Sequence, residues 1–260
     1  MSDAPFLLLQ ISDTHLGADW HGVEPDECLL RAVEAILHLP QRPDALVITG
    51  DLTQNGTPEE YARVRELVAP LDLEPHVLPG NHDLRGPLRE AFALPGEGEE
   101  HASYAVDLGP LRLVCLDSTI PGGEAGALDE GRIEWLDRVL GEEREKPTVI
   151  AMHHPPLSTA LPTFDAIGLA PEWRAELAEV LARHPQVARV IAGHVHRVIV
   201  TELAGRAVLS VPSTYLQALL KFTPAPIEMV PDPAGFAIHA LRDGALTSHV
   251  QTLPRFLTSA

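Results

Sequence analysis

Apolar positions along this chain follow two rhythms: short, nearly continuous runs, and longer stretches in which they recur every three or four residues. The runs at 6–11, 44–49, 75–78, 148–152 and 188–192 read as buried strands. Residues 24–39 carry Leu29, Leu30, Val33, Ile36 and Leu37 at helical spacing, and 128–140 carry Ile133, Leu136, Val139 and Leu140 likewise. Another helix is predicted over 171–184. Thr57-Pro58-Glu59-Glu60 opens one more, running to about Leu71. Thr57 can cap it, Pro58 suits its first position, and Glu60 completes a capping box. Segments 102–108 and 111–117 flank Gly109-Pro110 and predict a hairpin. Further strand-like pieces stand at 198–203, 207–211 and 236–241.

No low-complexity linker or internal repeat interrupts this alternation. The chain therefore reads as a single domain over 1–260, with a core at about 6–215 and C-terminal strands and tail at about 216–260. The expected fold is α/β: a four-layer αββα sandwich with two mixed β-sheets inside and helices outside.

Five of the predicted strands end in the same kind of residue. The sequence reads Asp13-Thr14-His15, Gly50-Asp51, Gly80-Asn81-His82-Asp83, His153-His154-Pro155-Pro156 and Gly193-His194-Val195-His196 at these ends. Each motif alone has an ordinary reading as a cap or tight turn. Asp13 and His15, spaced i, i+2, would point the same way on an extended chain, as would His194 and His196. Ligands of α/β sheets gather at the carboxyl ends of strands. Turn chemistry does not readily produce five such ends in one chain, and together they offer oxygen and imidazole ligands for two metal ions. A metal pair is a known way to cleave a phosphoester at neutral pH.

Composition narrows the partners. A chain of 260 residues with formal net charge −18 is long enough for a sizeable core and repels polynucleotides and anionic membranes. A small phosphate ester is less affected, because bound metal ions invert the field locally. No apolar run reaches the ~18 residues of a membrane span. The start, Met-Ser-Asp-Ala-Pro, lacks a basic segment and a cleavage site, so a cytoplasmic location is expected. Cys28 and Cys115 are expected to be buried free thiols. Oligomeric state, a homodimer included, is left open.

The five motifs, in this order, resemble those of the calcineurin-like metallophosphoesterases. More narrowly, residues 9–16, Gly50-Asp51-Leu52-Thr53, His153-His154-Pro155-Pro156 and Gly193-His194-Val195-His196 are similar to the bacterial class III cyclic-nucleotide phosphodiesterases and related glycerophosphodiesterases. The resemblance covers roughly residues 6–215. It implies that Asp13, His15, Asp51 and His196 hold one ion, and that Asp51, Asn81, His153 and His194 hold the other. Asp51 would bridge, since a two-oxygen anion spans two cations easily. The donor mix suits Mn or Fe first, with Zn or Co as options, rather than Mg or Ca.

The same resemblance implies in-line attack on phosphorus by a hydroxide held between the ions, with His82 assisting the leaving group. Asp51 and His82 are thus the catalytic candidates. Asp83 is expected to orient His82 or its loop, and His154 to act beside the ligands rather than as one. Arg197 and His21 are candidate pocket residues. The expected activity is metal-dependent hydrolysis of small phosphodiesters, 3′,5′-cyclic nucleotides such as cAMP first. Glycerophosphodiesters, or phosphomonoesters on the same fold, are the alternatives, and a non-catalytic metal-binding scaffold comes last. Specificity is expected in residues 16–25, 118–129, 158–170 and the tail after Val211.

Overall fold

The computed structural model describes residues 4–96, 98 and 100–254. In chain order the elements are β1 (Phe6–Ile11), α1 (Pro25–Leu37), β2 (Ala45–Thr49), α2 (Pro58–Val68), β3 (Pro75–Leu78), α3 (Arg85–Phe92), β4 (Tyr104–Asp107) and β5 (Arg112–Leu116). There follow α4 (Glu130–Glu142), β6 (Thr148–Met152), α5 (Pro162–Ile167), α6 (Pro171–Arg183), β7 (Val187–Ala192), β8 (Ile199–Leu203) and β9 (Arg206–Ser210). Short β10 (Gln217–Ala218) and β11 (Met229–Val230) precede β12 (Gly235–Arg242) and β13 (Ala245–Thr252).

Two mixed sheets form the centre. One has the order β13-β12-β1-β2-β3, and the other β4-β5-β6-β7-β9-β8. The β1, β2 and β3 ladders are parallel, as are β5, β6, β7 and β9, so the ends of these strands point their motifs the same way within each sheet.

Alternation within each strand divides the core into layers. Leu8, Val47 and Leu78 meet Leu113, Cys115, Val149, Ala151 and Ile191 between the sheets. Their neighbours Leu9, Ile11, Leu46 and Ile48 face outward, under Leu29, Val33 and Ile36 of α1 and Val64 and Leu67 of α2. On the far side Val114, Leu116, Ile150 and Met152 lie under Leu136 and Leu140 of α4 and Leu177 and Leu181 of α6. Strands buried on both faces must be apolar throughout, which is why they stand out in the sequence. The result is helix, sheet, sheet, helix.

The predicted capping box is present. The Thr57 hydroxyl accepts the Glu60 N–H, and the Glu60 carboxylate accepts the Thr57 N–H. The expected helix to Leu71 ends at Val68 and tightens into a 3₁₀ turn over Ala69–Leu71. Helices α3 and α5 and strands β10, β11 and β13 lie outside the elements that the sequence predicts. The segment after Tyr215 is integral to the first sheet, because β12 pairs with β1 along its length and buries Phe236 and Ala237. Both cysteines are free and buried. Among the described residues, no helix is long and apolar enough to cross a membrane.

Candidate metal centre

The carboxyl ends of β1, β2, β3, β6 and β7 bring the five motifs together. Asp13, His15, Asp51, His153, His194 and His196 are all buried, and Asn81 is half-buried at the edge of a cleft. The local geometry differs from the expected extended chain. Asp13 and His15 have φ of 54° and 46°, Asp51 has 49°, and His194 and His196 have 68° and 52°. Each sits in the left-handed region, which costs a residue with a Cβ about 1–3 kcal/mol. Side chains at i and i+2 therefore converge through kinks in the backbone and not through strand alternation.

Loop-to-loop hydrogen bonds hold these kinks. The Asp13 N–H donates to Gly50 O (3.1 Å), the His15 N–H to Asp51 O (3.0 Å) and the Gly193 N–H to His153 O (3.1 Å). Two glycines are required by close approach. A Cβ on Gly50 would lie 2.4 Å from His153 Nδ1, and one on Gly80 would lie 2.2 Å from Asp51 Oδ1. The pairs Gly50-Asp51 and Gly80-Asn81 thus record how tightly the ligand loops are stacked.

The side chains form two adjoining sets. Ligand atoms of Asp13, His15, Asp51 and His196 all lie within 4.8 Å of one another. His15 Nε2 is 3.1 Å from His196 Nε2, and His196 Nε2 is 3.4 Å from Asp13 Oδ1. Asp51 Oδ2 stands between the sets, 3.6 Å from His15 Nε2 and 3.4 Å from His153 Nε2. Asn81 Oδ1 is 3.1 Å from both His153 Nε2 and His194 Nδ1.

Backbone carbonyls fix two of the imidazoles. His153 Nδ1 meets Thr49 O at 2.9 Å and His196 Nδ1 meets Leu216 O at 2.7 Å, which leaves each Nε2 free to ligate. His15 Nδ1 instead meets the side chain of Gln54, at 3.1 Å.

A cation fits this arrangement on a direct test. Asp13 Oδ2 and His194 Nε2 are buried atoms that find no hydrogen-bond partner. Burying such atoms without partners is costly; a cation in the first set would satisfy Asp13, while His194 faces the second set through Nδ1, beside Asn81 Oδ1. The protonation pattern agrees. Burial raises the Asp51 carboxyl, but His153, then His15 and His82, outweigh it and hold it well below the usual carboxylate range. Burial pushes His15 down to about 3 and carries His194 well below its ordinary value, keeping both neutral. Burial would lower His153 too, yet Asp51 beside it brings it up to about 9. A cation bound there takes the place of that proton.

His154 lies close enough to His153 and His194 to belong to a third cluster. Its nitrogens are already engaged, however. Nδ1 pairs with Ser118 Oγ at 2.9 Å, and Nε2 with Glu124 O at 3.1 Å. It sits beside the ligand sets. The backbone N–H of His82 donates to Asp51 Oδ1 (2.9 Å), and its ring lines the cleft.

Asp83 serves the loops and not the His82 ring. Its carboxylate accepts from the N–H groups of Leu52 (3.1 Å), Thr53 (3.2 Å) and Gly80 (2.9 Å) and from the Tyr61 hydroxyl (3.1 Å). Arg197 is not brought into the cleft: its guanidinium turns to Asp232 and the Ala218 carbonyl. His21 is exposed on an outer recess with Asp19 and Glu228, adjoining the cleft through Trp20.

The cleft itself measures ≈ 180 Å³ and is walled by Trp20, Glu124, Phe164, Ile167, Ile227 and Met229 above the ligand atoms. These six were not singled out in the sequence, although each falls in one of the four segments expected to carry specificity.

Residues 6–198 match the calcineurin-like phosphoesterase family, and the chain belongs to it. Among curated relatives, a probable glycerophosphodiester phosphodiesterase of Arcobacter nitrofigilis, GpdQ, is 33% identical over 258 residues, covering 96% of this chain and 94% of that protein. The 3′,5′-cyclic adenosine monophosphate phosphodiesterase CpdA of Escherichia coli K12 is 32% identical over 256 residues, covering 96% and 91%. A dimetal phosphatase from Danio rerio shares the fold, with a TM-score of 0.70 at 19% identity over 97% of this chain and 100% of that one.

Proposed function

We propose that the chain is a metal-dependent phosphodiesterase of small substrates, with 3′,5′-cyclic nucleotides such as cAMP first among them. The observation that carries this reading is the pair of ligand sets meeting at Asp51 Oδ2 on the floor of a cleft lined by His82. Asp13, His15, Asp51 and His196 would hold one ion, and Asp51, Asn81, His153 and His194 the other. When bound, two such ions supply positive charge for the phosphate oxygens and acidify water at the site. Mixed carboxylate, amide and imidazole donors favour Mn or Fe, with Zn or Co as alternatives.

The remaining work falls to the chain. Asp51 ties the two sets to the His82 loop through its two oxygens. His82 donates a proton to the departing oxygen, which as a bare alkoxide would leave poorly. Trp20, Phe164, Ile167, Ile227 and Met229 give the substrate an apolar wall.

Charge favours a diester. Among the described residues lining the cleft, none is Lys or Arg. A diester carries one negative charge at phosphorus, whereas a monoester dianion would call for further cationic donors. Relatives bearing the names of cyclic-nucleotide and of glycerophosphodiester phosphodiesterases both support a diester, and the apolar wall favours the nucleotide, whose base offers flat faces for stacking. The test is turnover of cAMP, a glycerophosphodiester and an aryl phosphomonoester with Mn²⁺ supplied. A monoester hydrolysed far faster than either diester would overturn the diesterase reading. A strong preference for the glycerophosphodiester would overturn only the choice of cAMP.

A further inference from the structure

Gln54 stands between two imidazoles of the site. Its Oε1 is 3.1 Å from His15 Nδ1, and its Nε2 is 3.2 Å from His82 Nδ1. The two rings are 5.0 Å apart and nearly perpendicular. The Gln54 backbone is fixed as well: its N–H donates to Leu16 O at 2.8 Å, beside the bridge between Leu16 and Thr53. One half-buried amide, held from behind, thus touches a proposed ligand and the proposed proton donor at once.

The chemistry of an amide leaves one consistent assignment. His15 Nε2 points into the ligand set, toward Asp51 Oδ2 and His196 Nε2, so ligation needs its lone pair there. The His15 proton must then sit on Nδ1, and it needs an acceptor, which only the amide oxygen can be. That places the NH₂ end against His82. An NH₂ group only donates, so His82 Nδ1 must accept. With Nδ1 serving as acceptor, a neutral His82 carries its proton on Nε2, the nitrogen left for a ligand in the cleft.

We infer that Gln54 is a positioning residue that sets opposite tautomers in two histidines: proton on Nδ1 in His15, leaving Nε2 to bind a metal, and proton on Nε2 in His82, where the N–H can hydrogen-bond the leaving oxygen and stabilise its developing charge. His153 and His196 have their Nδ1 protons fixed by backbone carbonyls. His15 depends on a side chain for the same purpose. A carbonyl could not replace that side chain, because it has no donor for His82. The inference rests on the ligand and proton-donor roles proposed above.

Two variants separate the two ends of the amide. Gln54→Glu keeps an acceptor for His15 but offers none of the N–H donors that His82 Nδ1 accepts from. Gln54→Leu removes both ends. In ¹⁵N-labelled, Zn²⁺-saturated protein, long-range ¹H–¹⁵N spectra report the protonation of each ring nitrogen, with His82 assigned by its loss in His82→Ala. The expected wild-type spectrum has His82 unprotonated at Nδ1, and Gln54→Glu moves a proton onto that nitrogen. Calorimetric titration with Mn²⁺ should show one of two binding steps weakened ~10–100-fold in Gln54→Leu, the usual effect of losing a group that orients a ligand, and near wild type in Gln54→Glu. A wild-type His82 protonated at Nδ1 while neutral would overturn the assignment, as would two unchanged Mn²⁺ steps in folded Gln54→Leu. Wild-type protein that binds no Mn²⁺ or cleaves no diester would overturn the function proposed above. Wild-type protein that does both, with Gln54 variants indistinguishable from it, would overturn this inference alone.

Discussion

The backbone N–H of His82 donates to Asp51 Oδ1 at 2.9 Å, while Asp51 Oδ2 faces His15 and His153. One carboxylate therefore holds the loop of the proposed proton donor and stands between both ligand sets. His154, by contrast, spends its two nitrogens on Ser118 and the Glu124 carbonyl. Asp51→Ala should lose more than ~10³-fold in kcat/KM, because an ion pair worth several kcal/mol of charge stabilisation is disrupted. His154→Ala should lose no more than ~10–100-fold. Steady-state kinetics with metal content measured alongside decides it, and equal losses in two folded, metal-loaded variants would contradict the separation.

His82→Ala should keep two metals per chain yet lower turnover of an alkyl diester by ~10²–10⁴-fold, the range for a lost general acid. An aryl diester, whose leaving group needs no proton, should lose far less. Elemental analysis checks the first half and paired kinetics the second. Loss of metal in this variant would make His82 a ligand or a support for one.

Asp83 satisfies three backbone N–H groups in the loops that carry Asp51 and Asn81, and the buried Tyr61 hydroxyl of α2. Asp83→Ala strands those donors, at ~1–3 kcal/mol for each that finds no water. The expected loss of unfolding free energy is ~3–5 kcal/mol by urea denaturation. The metal-binding loops should loosen with it. A loss below ~1 kcal/mol would show that the loops repack without the carboxylate.

Much of this was visible in the sequence for one reason. Strands β2 and β6 are buried at every position and β1 at all but its first, so their largely apolar runs end abruptly at Asp13, Asp51 and His153, whereas edge strand β3 is buried only at Val77 and Leu78, just before Gly80-Asn81. Elements lacking that signature were missed. Helix α3 begins with Arg85-Gly86-Pro87, which reads as a turn, and it is held by tertiary contacts of Leu88 and Phe92. Strand β13 is a sheet edge whose exposed positions alternate with half-buried ones, including Ser248 and His249. The left-handed kinks at Asp13 and His194 have no local signal at all, because they are imposed by Gly50, His153 and Asp13 from other loops. Gln54 gives no local signal for a similar reason. Its two partners lie 39 and 28 residues away, and a single glutamine in a loop looks like solvent-facing polarity until the fold closes.

His239 offers a pH test remote from the metal centre. It is fully buried between the sheets, its Nε2 paired with Gln10 Oε1 at 3.0 Å and its Nδ1 with Ser248. Burial, reinforced by Arg189 and His249, pushes the imidazole down to about 3. The unfolded chain binds a proton at the ordinary value of 6.5, so between 6.5 and about 3 it is the unfolded state that holds more protons. The neutral ring therefore contributes its full stability above pH 6.5, and that contribution falls by ~1.4 kcal/mol per pH unit below it. His239→Gln removes the titrating group while keeping an amide for Gln10. Unfolding free energies of chelator-treated protein, measured in urea at pH 7 and pH 5, should then differ by ~2 kcal/mol less in the variant than in wild type. Equal differences would mean that His239 is protonated in the folded protein, and that the buried chain from Ser248 to Gln10 carries a charge.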